Sequence, residues 1–201
     1  MNPQFKLILG SGSPRRKELL DMLGYDFDVI NPSINESINE NEKVDDYIIR
    51  ISVEKALSIV SDFPDEIGNN NRTIIIAADT VVFLPDSELI LGKPDDINEA
   101  RRMLLLLSGR SHLVKTGFVL ADLSNENLSI TKNVVSTEVL FRKIDTNEIE
   151  KYIKSDEPFD KAGSYAIQGI GLKFVLSING SYSNVVGLPL AHVKIALDAL
   201  C

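Results

Sequence analysis

An apolar run that breaks into small residues and then into two adjacent arginines fixes the start of this chain. In "LILGSGSPRRKELLDMLG", residues 7–24, Leu7, Ile8 and Leu9 read as a short buried strand. Pro14 suits the first turn of a helix, and Ser13 before it suits the N-cap. The helix runs through Leu19, Leu20 and Leu23, and Gly24 suits its C-terminal cap. Strand, small-residue turn and helix therefore follow one another within eighteen residues. The exposed N–H groups of such a turn favour an anion, whereas Arg15 and Arg16 sit where the helix dipole disfavours cations. Either a phosphate group offsets them, or the turn is an ordinary one and the two arginines are simply solvated. Neither familiar phosphate loop fits: the G-x-x-x-x-G-K-[ST] spacing is missing, and Arg15 stands where G-x-G-x-x-G needs a third glycine.

With 201 residues, 44% of them hydrophobic and 25% charged, the chain can bury one substantial core or two small lobes. A net charge of −8 argues against a nucleic-acid binder that relies on a basic surface, although a local arginine cluster can still take a single nucleotide. The lone cysteine, Cys201, excludes an intramolecular disulfide and a cysteine-rich metal site. No apolar stretch approaches the length of a membrane span and no signal-peptide pattern opens the chain, so the expectation is a cytoplasmic protein without a membrane partner.

Residues 31–46 read as a polar, acidic loop, and 44–61 as a helix with Val44, Tyr47, Ile48 and Ile51 on one face. The same spacing carried forward reaches Glu54 and Lys55, so one or both point inward. Residues 62–72 read as loop, and 73–84, "TIIIAADTVVFL", as one long strand or two consecutive ones. A helix over 95–107 starts at Asp95 or Asp96. Two strands, "SHLVKTGFVLAD" and "LSITKNVVSTEVLF", join through a turn at 124–127. Asp145 with Glu148 forms a capping-box-like start for a helix through Lys154. "KFVLSING" is a final strand and 188–200 a closing helix. Alternation early and clustered strands later predict a mixed α/β sheet.

Asp79 is the most informative carboxylate, because its twelve-residue surroundings offer only threonine as another polar side chain. Burying it unpaired would cost several kcal/mol, so it is either paired structurally or exposed where the strand meets a cleft. Thr80 stands ready to bond to it or to a ligand. In "LGKPDD", 91–96, Gly92 and Pro94 hold Lys93 in a turn, either as a point charge for phosphate or as a solvated loop lysine, the better reading of the motif alone. "DKAGSYAIQGIG", 160–171, places three glycines around Tyr165 and Gln168, a pattern of close backbone approach to a ligand or simply of a tight turn. His112 and His192 are the only histidines and have no clustered partners, which argues against zinc; no G-x-S-x-G elbow is present. A divalent ion held by carboxylates and substrate phosphates stays open.

Taken together, "SGSPRRKELL", "EKA", "AADTVV", "LGKPDD", "LSGRSH", "DKAGSYAIQG" and "NVVGLPL" resemble the Maf family of nucleotide pyrophosphatases, in the family's order and across nearly the whole chain. Gly10 stands where the family usually has Ala, and Asn35 precedes Glu36 where an acidic pair is common. The resemblance implies one Maf-like domain over 1–201, an α/β mixed sheet with flanking helices and two lobes around a nucleotide cleft, often as a homodimer. It implies hydrolysis of a nucleoside triphosphate to the monophosphate and pyrophosphate with a divalent cation, Mg²⁺ or Mn²⁺. By the same resemblance, Ser11, Arg15 and Arg16 contact the phosphate chain, Asp79 is the proton acceptor, and Glu36 with Asp79 handles the metal. Lys55 and Lys93 contact phosphate, while Arg15, Thr80 and Gln168 match positions linked to substrate choice. "AIQG" looks like the branch acting on dTTP and UTP, since the 7-methyl-GTP branch tends to carry Glu at the position of Gln168. The rival function is a nucleotide-binding regulator of septum formation.

Overall fold

The computed structural model describes residues 5–64, 72–124, 127–155 and 157–200. Residue Cys201 and the centre of the expected turn at 124–127 lie outside them. Seven strands form one mixed sheet among the described residues: β1 (Lys6–Gly10), β2 (Asp28–Ile30), β3 (Arg72–Leu84), β4 (Leu89–Leu91), β5 (Ser111–Ser124), β6 (Asn127–Phe141) and β7 (Val175–Asn179). Their order is β2-β1-β3-β5-β6-β7, with β4 also on β3. Strand β1 runs parallel to both β2 and β3, whereas β3–β4 and β6–β7 are antiparallel, so the expected mixed α/β sheet is present. The helices are α1 (Pro14–Asp21), α2 (Val44–Asp62), α3 (Ile97–Leu107), α4 (Thr146–Ile153), α5 (Tyr182–Val186) and α6 (Leu190–Asp198).

The chain divides into two compact units. The first comprises Met1–Asp79, Thr116–Val135 and Gly187–Cys201, and the second Thr80–Lys115 and Ser136–Val186. Each has its own apolar core. In the first unit, Ile8 of β1, Ile75 and Ala77 of β3, and Val119 and Ala121 of β5 pack with Ala56 and Ile59 of α2. Gly10 belongs to this packing: a Cβ there would come within 2.7 Å of the Ile59 side chain, so the isoleucine fills the space an alanine methyl would need. Arg72 closes the unit by a two-pronged ion pair to Asp122 (3.0 and 2.7 Å) and a bond to the Leu200 carbonyl.

The second unit gathers Val82, Leu91, Met103, Leu104, Phe141, Tyr152 and Phe174 into its core. His112 is buried there, sharing a 2.8 Å hydrogen bond with the Tyr165 hydroxyl and meeting Phe141 edge-on. Two helix starts behave as their sequences predict: Asp96 accepts from the Glu99 N–H, and Asp145 from the Asn147 N–H. Both Glu148 oxygens accept from Arg142, the main cause that holds this carboxyl below its ordinary value, and the Asp145 N–H adds to it as the reciprocal half of the box at 145–148. The last strand also starts later than expected, at Val175, because 170–174 wind into a 3₁₀ helix first.

Candidate active site

Topology places the polar residues of the first unit at one end of the sheet. Gly10 pairs in parallel register with Ala77, so the turn 11–13 leaves β1 at the level where β3 continues to Asp79. Ligands of α/β sheets gather at such carboxyl ends of parallel strands. Side chains alternate along a strand, so Asp79 shares the face of Ala77, which packs against α2. Lys55 projects from that helix. Its ammonium donates to Asp79 Oδ1 at 2.8 Å and to Glu36 Oε1 at 2.8 Å. Asp79 and Lys55 are each only 7% exposed, while the Glu36 side chain is 46% exposed, so the pair is buried on one side and open on the other. Of the two residues that helical spacing projected inward, Lys55 is the buried one; Glu54 pairs with Arg50 instead.

The turn after β1 is wired by Ser11. Its buried hydroxyl oxygen accepts from the Ser13 N–H and from Arg16 Nη1, both at 3.2 Å. A hydroxyl has two acceptor sites and one donor, so the arrangement leaves its hydrogen to donate to an incoming acceptor. Ser13 occupies the N-cap position of α1 without a side-chain cap bond. Arg16 also donates through Nε to the Gly187 carbonyl at 2.8 Å. Burial pushes its guanidinium below the ordinary value, while the nearby carboxylates of Asp79 and Glu36 pull the other way and Arg15 adds to the lowering. Two carboxylates and a carbonyl inside the protein thus meet part of the cation's need. Arg15 lies half-buried on the next position of the same turn. Asn35, next to Glu36, uses its side-chain oxygen to accept from the Ser37 N–H and hydroxyl.

The arrangement fits a divalent cation. Two carboxylates already converge on one positive charge, the Lys55 ammonium. Among the described residues no group of three or more His, Cys, Asp or Glu is gathered. Hard cations such as Mg²⁺ are commonly held by one or two carboxylates, with phosphate oxygens and water completing the shell.

The second unit holds the remaining expected residues. Thr80 follows Asp79 on the opposite face of β3 and is half-buried. Lys93 and Gln168 are both exposed, on loops tied to each other where the Gly163 N–H donates to the Gly92 carbonyl at 2.9 Å.

A profile of the family described as "Maf-like protein" matches residues 6–200. The chain belongs to the Maf family. Its relatives include a dTTP/UTP pyrophosphatase of Syntrophus aciditrophicus (strain SB), 46% identical over 188 residues that cover 94% of this chain and 86% of that protein. Another, from Vibrio parahaemolyticus, is 45% identical over 94% of each chain. A third, from Clostridium botulinum (strain Eklund 17B / Type B), is 46% identical over 96% of this chain and 98% of its own. All three carry the same name, dTTP/UTP pyrophosphatase. This Maf chain also shows features that its motifs did not announce, above all the hold of Arg16 on Gly187, which joins residues far apart in sequence. Among the described residues, no helix is long and apolar enough to cross a membrane.

Proposed function

We propose that this Maf protein is a nucleoside triphosphate pyrophosphatase acting on dTTP and UTP, releasing the monophosphate and pyrophosphate. The observation that carries the reading is a buried carboxylate, Asp79, held by Lys55 beside a turn whose serine and arginines present donors. Asp79 takes a proton from water as its oxygen attacks the α-phosphorus. The bond to the bridging oxygen breaks, and pyrophosphate leaves with that electron pair. Ser11 and Arg15 hold phosphate oxygens and Arg16 keeps the turn in place as well as supplying charge. Lys55 fixes the carboxylate and shares in phosphate contact, with Lys93 as a further contact. A divalent cation, Mg²⁺ or Mn²⁺, held by Glu36 and Asp79, would neutralise phosphate charge when bound. Thr80, Gln168 and Arg15 set base preference. A neutral amide at Gln168 offers a donor and an acceptor, matching the alternating imide edge of uracil or thymine. The same reading carries a cytoplasmic homodimer whose substrate is a free nucleotide and whose single Maf-like domain spans the chain.

The test is product analysis with Mg²⁺ and dTTP, UTP, GTP or 7-methyl-GTP. Pyrophosphate with monophosphate is expected, fastest from the pyrimidine nucleotides. Asp79→Asn should lower kcat by roughly 10²–10⁴ with the fold intact, the range for loss of a general base. Diphosphate with orthophosphate, or near-normal turnover by the variant, would refute the bond or the base.

A further inference from the structure

Gln168 lies in a loop whose backbone is held from both sides by one pair of side chains. Tyr152 of α4 is fully buried, and its hydroxyl donates to Glu157 Oε1 at 2.8 Å while accepting from the Ala166 N–H at 3.3 Å. Glu157 in turn accepts from the Ile170 N–H through Oε2 at 2.8 Å and from the Gly171 N–H through Oε1 at 2.9 Å. The three amides flank Gln168 two residues before it and two and three after it. Each is bound by a group that lies outside the loop.

The loop is built around this hold. A Cβ on Gly169 would run into the Glu157 carboxylate, and one on Gly171 would come within 2.7 Å of the Ala166 carbonyl and 2.9 Å of the Tyr152 hydroxyl. Upstream, Gly163 and Ser164 both adopt positive φ, 67° and 62°, the second a strained conformation for a residue with a Cβ. The Ser164 hydroxyl is anchored on Met103 Sδ at 3.1 Å. Burial alone would raise the Glu157 carboxyl, but the Gly171 and Ile170 amides and the Tyr152 hydroxyl outweigh it and hold the group below its ordinary value. It is therefore the acceptor-only carboxylate that the three donors require.

We propose that Glu157, braced by Tyr152, is a specificity-positioning residue: it fixes the loop 165–171 so that Gln168 meets the base in one orientation. This rests on the pyrimidine-reading role given to Gln168 above. An amide side chain at 157 has one acceptor oxygen and turns a donor toward a backbone N–H, so Glu157→Gln should release one side of the loop. A loosely held Gln168 can satisfy either a pyrimidine or a purine edge, and discrimination falls because it depended on leaving the wrong edge unpaired.

Steady-state kcat/KM for UTP, dTTP, CTP and GTP, with Mg²⁺, is to be measured on the wild type, Glu157→Gln and Tyr152→Phe. Amide hydrogen exchange across 163–171 is followed on the same three proteins without nucleotide. Glu157→Gln is expected to lower the UTP-to-GTP ratio about 10-fold, the effect of roughly one hydrogen bond, and to speed exchange at Ile170 and Gly171. Tyr152→Phe is expected to move both readouts in the same direction by less, and it is the variant that decides if Glu157→Gln does not fold. Parallel losses for all four nucleotides at an unchanged ratio would overturn the proposal, as would unaltered exchange. A wild type that turns over none of the four, with exchange still faster in the variants, overturns the activity assigned above and with it the specificity role, while showing that the loop is held as described.

Discussion

Lys55→Met keeps the stem that packs along α2 and removes only the charge between Asp79 and Glu36. At the observed 2.8 Å, and with the effective dielectric of about 20 that describes protein sites, one such pair is worth roughly 6 kcal/mol before desolvation is counted. The Glu36 contact adds little, because its side chain is 46% exposed and screened. Both partners of the Asp79 contact are themselves buried, and removing one partner of a buried pair costs about 3–5 kcal/mol, chiefly by leaving the other charge without its counterion. Arg16 remains close enough to act on Asp79, which puts the expected loss near the low end, about 3 kcal/mol. For a chain of this length each kcal/mol lowers Tm by about 2–4 °C, so a drop of roughly 6–12 °C is expected. Thermal and urea unfolding of Lys55→Met, Asp79→Asn and the double variant would measure it. The double variant should be more stable than the sum of the single losses predicts, because the neutral amide no longer needs the ammonium. A Tm for Lys55→Met within about 2 °C of the wild type, or strict additivity in the cycle, would refute the buried pair as the reason Lys55 is inside.

Arg15→Ala should lower kcat/KM for every triphosphate by about 10- to 100-fold, the loss of one charge-assisted contact; an unchanged value would place the phosphates elsewhere. Between pH 7 and 5, His112 is expected to add to the acid sensitivity of the second unit. Burial lowers its pKa from 6.5 to about 4, so below pH 6.5 the unfolded chain binds a proton that the folded one refuses. Its contribution is fully present above pH 6.5 and is lost as pH falls toward 4, up to about 3 kcal/mol in all. Urea midpoints from pH 7 to 5 should fall less steeply in His112→Asn than in the wild type, and equal slopes would remove the histidine from that role.

What the sequence disclosed depended on the range over which each signal acts. Local signals were legible: the apolar run into β1, the Pro14 start of α1, and the Asp96 cap of α3 each rest on residues a few positions apart. Lys55 was legible too, as a charged residue falling on the apolar side of a helical repeat. The bonds that join distant segments were not: nothing near Arg16 points to Gly187, and nothing near Arg72 points to Asp122. Strands β2 and β4 are three residues each, too short for a period to show, and exist through their pairing with β1 and β3. Glu157 carries no such signal, because two of its three partners are backbone amides, which every residue type but proline offers.

The bond from Arg16 to Gly187 also sets an order on synthesis. Ser11, Arg15 and Arg16 are synthesised long before the Gly187 carbonyl that seats Arg16, and Arg72 long before the Leu200 carbonyl that closes on it. The second unit finishes at Val186, before either of them. The first unit therefore closes only when its last segment joins strands and helices made much earlier. A chain cut short of residue 187 would lack the carbonyl that seats Arg16, and the turn after β1 would lose its brace from the far end of the first unit.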